Sequence, residues 1–292
     1  TLGIFLQSDW LFSENFTVLS GVRFDKHSLL NNLIISPRFS FLYNIKQNLQ
    51  LRLSYSTGFR APQAFDTDLH IAFSGGGISR ISLDNDLKEE NSQSFSSSFN
   101  YDYAQENYIY GITIEGFYTQ LTDAFYLDPD GQDNFGDLFV KRNGSGALVN
   151  GISLDLRLNY NKIIQLESGL TIQSSNYNQA VSYSDNLLPK YNFLKTPNTY
   201  GYGNLSYKVG ENLSSSINYI YTGKMELIHL GGSVNHEYDT YVESSPFHQF
   251  DINFRYSYFT NRIGLNINYS IGIKNITNSY QSDFDISKNR DS

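Results

Sequence analysis

The stretch Ile152-Ser-Leu-Asp-Leu-Arg-Leu-Asn-Tyr160 decides the fold. Ile152, Leu154, Leu156, Leu158 and Tyr160 alternate with Ser153, Asp155, Arg157 and Asn159. Side chains of an extended chain point alternately to opposite faces, so this segment predicts a strand with one apolar and one polar side. The same period recurs elsewhere. Leu49, Leu51, Leu53 and Tyr55 oppose Gln50, Arg52, Ser54 and Ser56. Phe250, Ile252, Phe254, Tyr256 and Tyr258 oppose Asp251, Asn253, Arg255 and Ser257, and Ile263 to Ile273 repeats the pattern. About twelve such segments can be read, many near the ~9–11 residues with which a tilted strand crosses a bilayer.

The connections between them sort by length. Short turns are expected at Ser13–Asn15, Ile45–Asn48, Ala104–Asn107, Asn161–Ile163, Val209–Asn212 and Thr260–Arg262. Long connections are expected at Asp25–Leu33, Arg60–Lys88, Asp128–Gly146, Gln179–Thr196, Gly223–Ser245 and from Thr277 onward. Short and long alternate, which in an antiparallel meander puts every short turn at one rim and every long loop at the other. Transmembrane barrels of bacterial outer membranes show that asymmetry, with the long loops outside the cell. The expected fold is all-β, an up-and-down transmembrane antiparallel barrel. A soluble β-sandwich would also alternate, but its strands are usually shorter and its turns need not sort.

Composition supports the barrel. The 292 residues include 23 Tyr and 21 Phe but one Trp, and only 17% are charged. Aromatic and β-branched residues suit strands with one greasy and one wet face. Tyr101/Tyr103, Tyr108/Tyr110, Tyr219/Tyr221 and Tyr256/Tyr258 suit aromatic girdles at membrane interfaces. Mean hydropathy of −0.38 is compatible with a membrane barrel, whose strands show only half their residues to lipid. No apolar run reaches the ~18 residues of a membrane helix. A net charge of −8 argues against a nucleic-acid partner, and the absence of cysteine excludes disulfides and thiolate chemistry. There is no signal peptide at Thr1, which starts within an expected strand, so a truncated chain is expected.

Specific motifs then narrow the class. Pro37-Arg38-Phe39, Leu51 to Pro62 with its Gly58-Phe-Arg-Ala-Pro62 box, and Asn85-Asp-Leu-Lys-Glu-Glu90 resemble the recurring boxes of TonB-dependent outer-membrane receptors. Asp86 stands where that family often has Pro. Gly3 to Gln7, Gly21 to Asp25 and Gly272 to Asn278 extend the resemblance over most of the chain in family order, and Gln63 to His70 is similar to members from Bacteroidetes-type bacteria. In the first box Pro62 lacks an N–H and stops the ladder, Gly58 permits a bend, and Arg60 can pair with a carboxylate of a loop or plug. The resemblance implies a partial barrel over 1–292, the C-terminal half of a domain of about 22 strands, lacking its plug, TonB box and closing strand. It implies outer-membrane localisation among lipid, and a partnership with the TonB complex through the missing plug region. It also implies active uptake of a scarce small-molecule nutrient such as a ferric siderophore, haem or cobalamin, without catalysis or a resident cofactor. A passive porin-type channel is the alternative that lacks an energy partner.

Candidate site residues fall in two groups. Arg52, Arg60, Glu115, Asp155, Arg157, Asp251 and Arg255, with Arg23, Arg38 and Glu167, oppose apolar residues and are expected to line a wet lumen or meet a plug. His70 lies between the two boxes, where haem-uptake members carry a loop histidine, and His229 and His236 near Met225 could offer a second ligand; a plain polar loop role is the simpler reading of each. Asp128-Pro-Asp-Gly-Gln-Asp133, with Asn134 and Asp137, gathers oxygen ligands. Its glycine is misplaced for an EF-hand, and an acidic solvated turn is expected there. Gly75-Gly-Gly77 lacks the strand and helix of a phosphate cradle.

Overall fold

The computed structural model describes residues 1–30, 32–62, 80–133, 136–184, 186–229, 238–260 and 264–280. His70, Gly75 to Gly77, Asn134 and His236 lie outside the described residues. The chain opens with four long strands, β1 (Leu2–Ser13), β2 (Phe16–Lys26), β3 (Leu33–Lys46) and β4 (Leu49–Arg60), then a short β5 (Arg80–Leu83). Next come β6 (Glu90–Ala104), β7 (Tyr108–Thr122), β8 (Phe125–Asp133), β9 (Gly136–Asn143), β10 (Ala147–Tyr160) and β11 (Ile164–Val181). The last third holds β12 (Lys190–Asn192), β13 (Thr199–Lys208), β14 (Leu213–Thr222), β15 (Glu226–His229), β16 (Thr240–Glu243), β17 (Phe247–Thr260) and β18 (Leu265–Ile273). Among the described residues there is no helix.

Twelve of these strands form one antiparallel meander in the order β1-β2-β3-β4-β6-β7-β10-β11-β13-β14-β17-β18, with β12 paired to β11. The sheet is open between β1 and β18. Among the described residues no second layer is stacked on this sheet, which excludes the sandwich with its two packed faces. Five of the six expected short turns join neighbours of this meander, residues 261–262 of the sixth lie outside the described residues, and the expected long connections described between strands rise from the opposite rim. Four of those connections carry strands of their own: β5 in 60–88, most of β8 and all of β9 in 128–146, β12 in 179–196, and β15 and β16 in 223–245. The span 128–146 is not an irregular acidic loop: Asp128 to Asp133 belongs to β8, which pairs antiparallel with β9, and β9 takes β5 as a parallel neighbour. Continuation of ladder hydrogen bonding beyond the rim outweighs the turn preference of Asp-Pro-Asp-Gly, whose Gly131 takes the positive φ of 84° there. The span 223–245 holds the β15–β16 hairpin.

Register keeps the two faces separate across the sheet. One row on the apolar face runs Leu53, Ser97, Gly116, Ile152, Ile172. The adjacent row on the other face runs Arg52, Ser98, Glu115, Ser153, Thr171, Tyr200. A one-residue slip would exchange the faces, so the alternation in each strand locks pairing with the next. Few apolar side chains are buried. Leu30, Ile34 and Ala61, with Phe59 against them, make the one apolar cluster of buried described residues, at the long-connection rim. Ile152 is instead 60% exposed and Ile172 58%. An apolar face this broad needs an apolar surrounding, since soluble monomers rarely show contiguous patches beyond a few hundred Å².

Tyrosines collect where that face ends. At the short-turn end Tyr103 and Tyr110 pack at 5.1 Å and Tyr108 and Tyr160 at 4.9 Å. Toward the other end Tyr55 meets Phe95 at 4.7 Å and Tyr219 meets Phe250 at 4.6 Å. On β17 Phe250 and Tyr258 lie eight residues apart, about 26 Å along the strand or roughly 20 Å in height at a ~40° tilt. That approaches the ~25 Å apolar band of outer-membrane barrels.

Candidate functional site

The polar face carries the charges. One register row runs through Asp102, Gly111, Arg157, Glu167, Asn204, Asn218 and Asp251 across seven strands. Arg157 reaches over β7 from β10 to β6. Its guanidinium donates to Thr113 Oγ1 (3.0 Å), Asn100 Oδ1 (2.8 Å) and Asp102 Oδ1 (3.0 Å). The space for it comes from Gly111, where a Cβ would stand 2.2 Å from Asp102 Oδ1 and 2.8 Å from an Arg157 nitrogen. Thr113 also donates to Asn100 Oδ1 at 2.6 Å, so β6, β7 and β10 are tied by one polar network. Asp155 accepts from the Tyr202 hydroxyl at 3.1 Å, the ring lying across Gly169. Asp251 accepts from Gln249 Nε2 (3.0 Å) and from the Asn275 backbone N–H (2.8 Å).

Other charges of this face have no such ties. Arg52, Glu115 and Arg255 make no hydrogen bond or ion pair within the described residues, and Arg52 and Arg255 are exposed. Arg52 and Glu115 share a row with only Ser98 between them. The polar face thus holds two kinds of charge: Arg157, Asp155 and Asp251 bonded within the wall, and Arg52, Glu115 and Arg255 without such bonds among the described residues. Sequence periodicity places all six on one face. It misses Asn100, Asp102, Thr113, Gly111 and Tyr202, whose roles depend on inter-strand register; the glycines opposite charged residues were the available signal.

At the long-connection rim Arg60 and Glu90 are register partners, and the Arg60 guanidinium carbon lies 5.5 Å from the Phe125 ring centre. His229 is in β15, opposite Thr240. No group of three or more metal-capable side chains gathers among the described residues. Farther along the rim, Glu226 accepts from Lys190 and from Asn192 (2.5 Å), while the Lys190 ammonium sits 4.5 Å from the Tyr241 ring centre. Burial pushes the Glu226 carboxyl up, but the bonds from Lys190 and Asn192 and the Lys190 charge outweigh it and hold the group below its ordinary value. These contacts fasten the 179–196 connection to the β15–β16 hairpin.

Comparison with known proteins follows the same lines. The family model described as TonB dependent receptor-like, beta-barrel matches residues 1–276. The ferrienterobactin receptor of Escherichia coli (strain K12) is 22% identical over 233 residues, 76% of this chain and 30% of that protein. Among solved structures, the siderophore receptor PirA from Acinetobacter baumannii aligns with a TM-score of 0.65 at 15% identity, covering 94% of this chain and 41% of that one. The FrpB iron transporter from Neisseria meningitidis (F3-3 variant) aligns with a TM-score of 0.62 at 17% identity, covering 96% and 41%. The chain therefore spans less than half the length of these relatives.

Proposed function

The chain belongs to the TonB-dependent receptor family as part of its β-barrel, and on that premise we propose that the whole receptor takes up a ferric siderophore across the outer membrane. The observation that carries this reading is a wall whose faces need opposite surroundings: apolar and girdled by aromatics outside, polar inside, with Arg52, Glu115 and Arg255 unpaired among the described residues. In this reading the long connections are extracellular and receive the ligand. A plug fills the lumen, and the energised TonB complex displaces it. Plug contacts fall first to Arg52, Glu115 and Arg255, because their polar atoms are not committed to the wall. Arg157, Asp155 and Asp251 meet the plug as parts of braced networks, and Arg60 acts at the rim. Water in the lumen keeps each ion pair at ~0–1 kcal/mol, weak enough for a mechanical pull to release in turn. No step is catalytic.

The names of the relatives support a siderophore over haem or cobalamin: one is a ferrienterobactin receptor and one a siderophore receptor. A strain lacking the gene is grown with a ferric catecholate siderophore, haem or inorganic iron as sole iron source, or with limiting cobalamin. Loss of growth on the siderophore, restored by the gene, is expected. Unchanged uptake of all of these would refute the reading.

A further inference from the structure

Two rim segments far apart in sequence are built into one body. β5, in the connection after β4, pairs parallel with β9, in the connection after β7. Beyond β5, the Asp84 N–H donates to the Lys141 carbonyl (3.1 Å) and the Lys88 N–H to Asn143 Oδ1 (2.7 Å). Asn143 returns a bond to the Lys88 carbonyl at 3.2 Å. Arg142 lies 3.6 Å from an Asp84 carboxylate oxygen and 3.3 Å from one of Asp128, so one guanidinium serves both segments.

This body is seated at Phe125, which is 8% exposed. Its ring has the Arg60 guanidinium on one approach and the Lys141 ammonium, 5.0 Å from its centre, on another. Its backbone N–H donates to Glu90 Oε2 at 3.0 Å. Arg60 ends β4 and Glu90 opens β6, so both stems of the first connection grip the first residue of β8. Lys141 is 1% exposed. Burying an ammonium is costly without partners, and an aliphatic residue would fill the volume more cheaply if filling were all that was needed.

We infer that Phe125 is a positioning residue, clamping the β8–β9 hairpin and the 80–89 segment before β6 into one extracellular unit that meets the ligand as a single body. The inference rests on the uptake reading for its function but not for its geometry. These 292 residues contain no cysteine, so in a full-length receptor cleared of any cysteine elsewhere a pair introduced at the register partners Ser82 and Val140 reports the unit directly. In purified S82C/V140C, without ligand, a disulfide is expected to form readily, and in cells uptake by this variant is expected to be equal with the bond oxidised or reduced. Adding F125A is expected to slow cross-linking. F125A alone is expected to raise the KM of uptake about fivefold at unchanged maximal rate, the scale of a lost cation–π seat, with F125Y restoring it.

A pair that fails to cross-link would overturn the inference. So would uptake blocked by the disulfide and restored by reductant, or F125A with wild-type cross-linking and KM. If F125A does not reach its folded gel mobility, E90A replaces it, with the same direction expected and wild-type values again decisive against. Cross-linking is read without ligand. A receptor that cross-links as described but transports none of the tested nutrients refutes the uptake reading and leaves the clamp standing.

Discussion

Replacing Gly111 by alanine tests how the inner face is braced. The new Cβ would stand 2.2 Å from Asp102 Oδ1 and within 3.0 Å of Arg157 Nε, both ends of flexible side chains rather than backbone. The strand can stay in place while the Arg157 network is pushed apart. Arg157 makes three hydrogen bonds, but its side chain is 42% exposed and that of Asp102 53%, so solvent screens much of their value. Discounted accordingly, the network contributes about 1–2 kcal/mol, and G111A costs about that much. R157M costs a similar ~1–2 kcal/mol because it removes the same bonds. The double variant is therefore expected to cost about 1–2 kcal/mol, not the sum of the two. Gly116, five residues on in β7, is the internal control, because its Cβ would meet nothing within 4 Å. G116A should be neutral or stabilise by roughly 0.5–1 kcal/mol. The assay is urea unfolding of the full-length receptor in lipid vesicles, read by the gel mobility of folded and unfolded forms. Additive costs for G111A and R157M would refute the reasoning, as would a loss above ~3 kcal/mol for G111A alone, which would mean backbone distortion.

Three further outcomes are expected. I152R should cost about 2–4 kcal/mol of folding stability in vesicles while S153R costs little, because only the first puts a cation on the face toward lipid. R52E and E115R are each expected to lower radiolabelled-siderophore accumulation, and the double reversal to lower it at least as much as either alone, because each charge meets the occupant of the lumen rather than the other; rescue by the double reversal would contradict this. The Glu226 carboxyl is held below its ordinary value, so its stabilisation of the rim is complete above about pH 4.3 and is lost as pH falls through the lower folded value. Hydrogen exchange at Lys195 N–H, which donates to the Glu226 carbonyl at 2.8 Å, should therefore quicken relative to β13 only at acid pH; protection that is flat in pH would contradict this.

Much of the wall is legible in the sequence because its signals are local. Alternation from Ile152 to Tyr160 fixes the faces of β10 without knowledge of its neighbours, and a turn such as Asn161–Ile163 needs only three residues to be read. The short turns then fix which strands are adjacent. The rim was harder to read for a physical reason. Asp128 to Asp133 has the composition of a turn, yet it extends as strand because β9 completes its ladder and β5 completes that of β9. Likewise Arg157 was legible as a polar-face residue, but not as the partner of Asp102, which is set by pairing through Gly111. His248 is one of five histidines, and the sequence alone assigns it no role. It sits on the apolar face, where Nδ1 lies 2.8 Å from the Tyr219 hydroxyl near the aromatic girdle.

The central claim is that alternate residues of each long strand face lipid and a wet lumen. This chain contains no cysteine, and in a full-length receptor cleared of any cysteine elsewhere single cysteines can be walked from Ile152 to Asn159 and probed in liposomes with a water-soluble maleimide. Labelling at Ser153, Asp155, Arg157 and Asn159, with protection at Ile152, Leu154, Leu156 and Leu158, is expected. Uniform labelling, or protection without a period of two, would contradict the membrane-spanning wall.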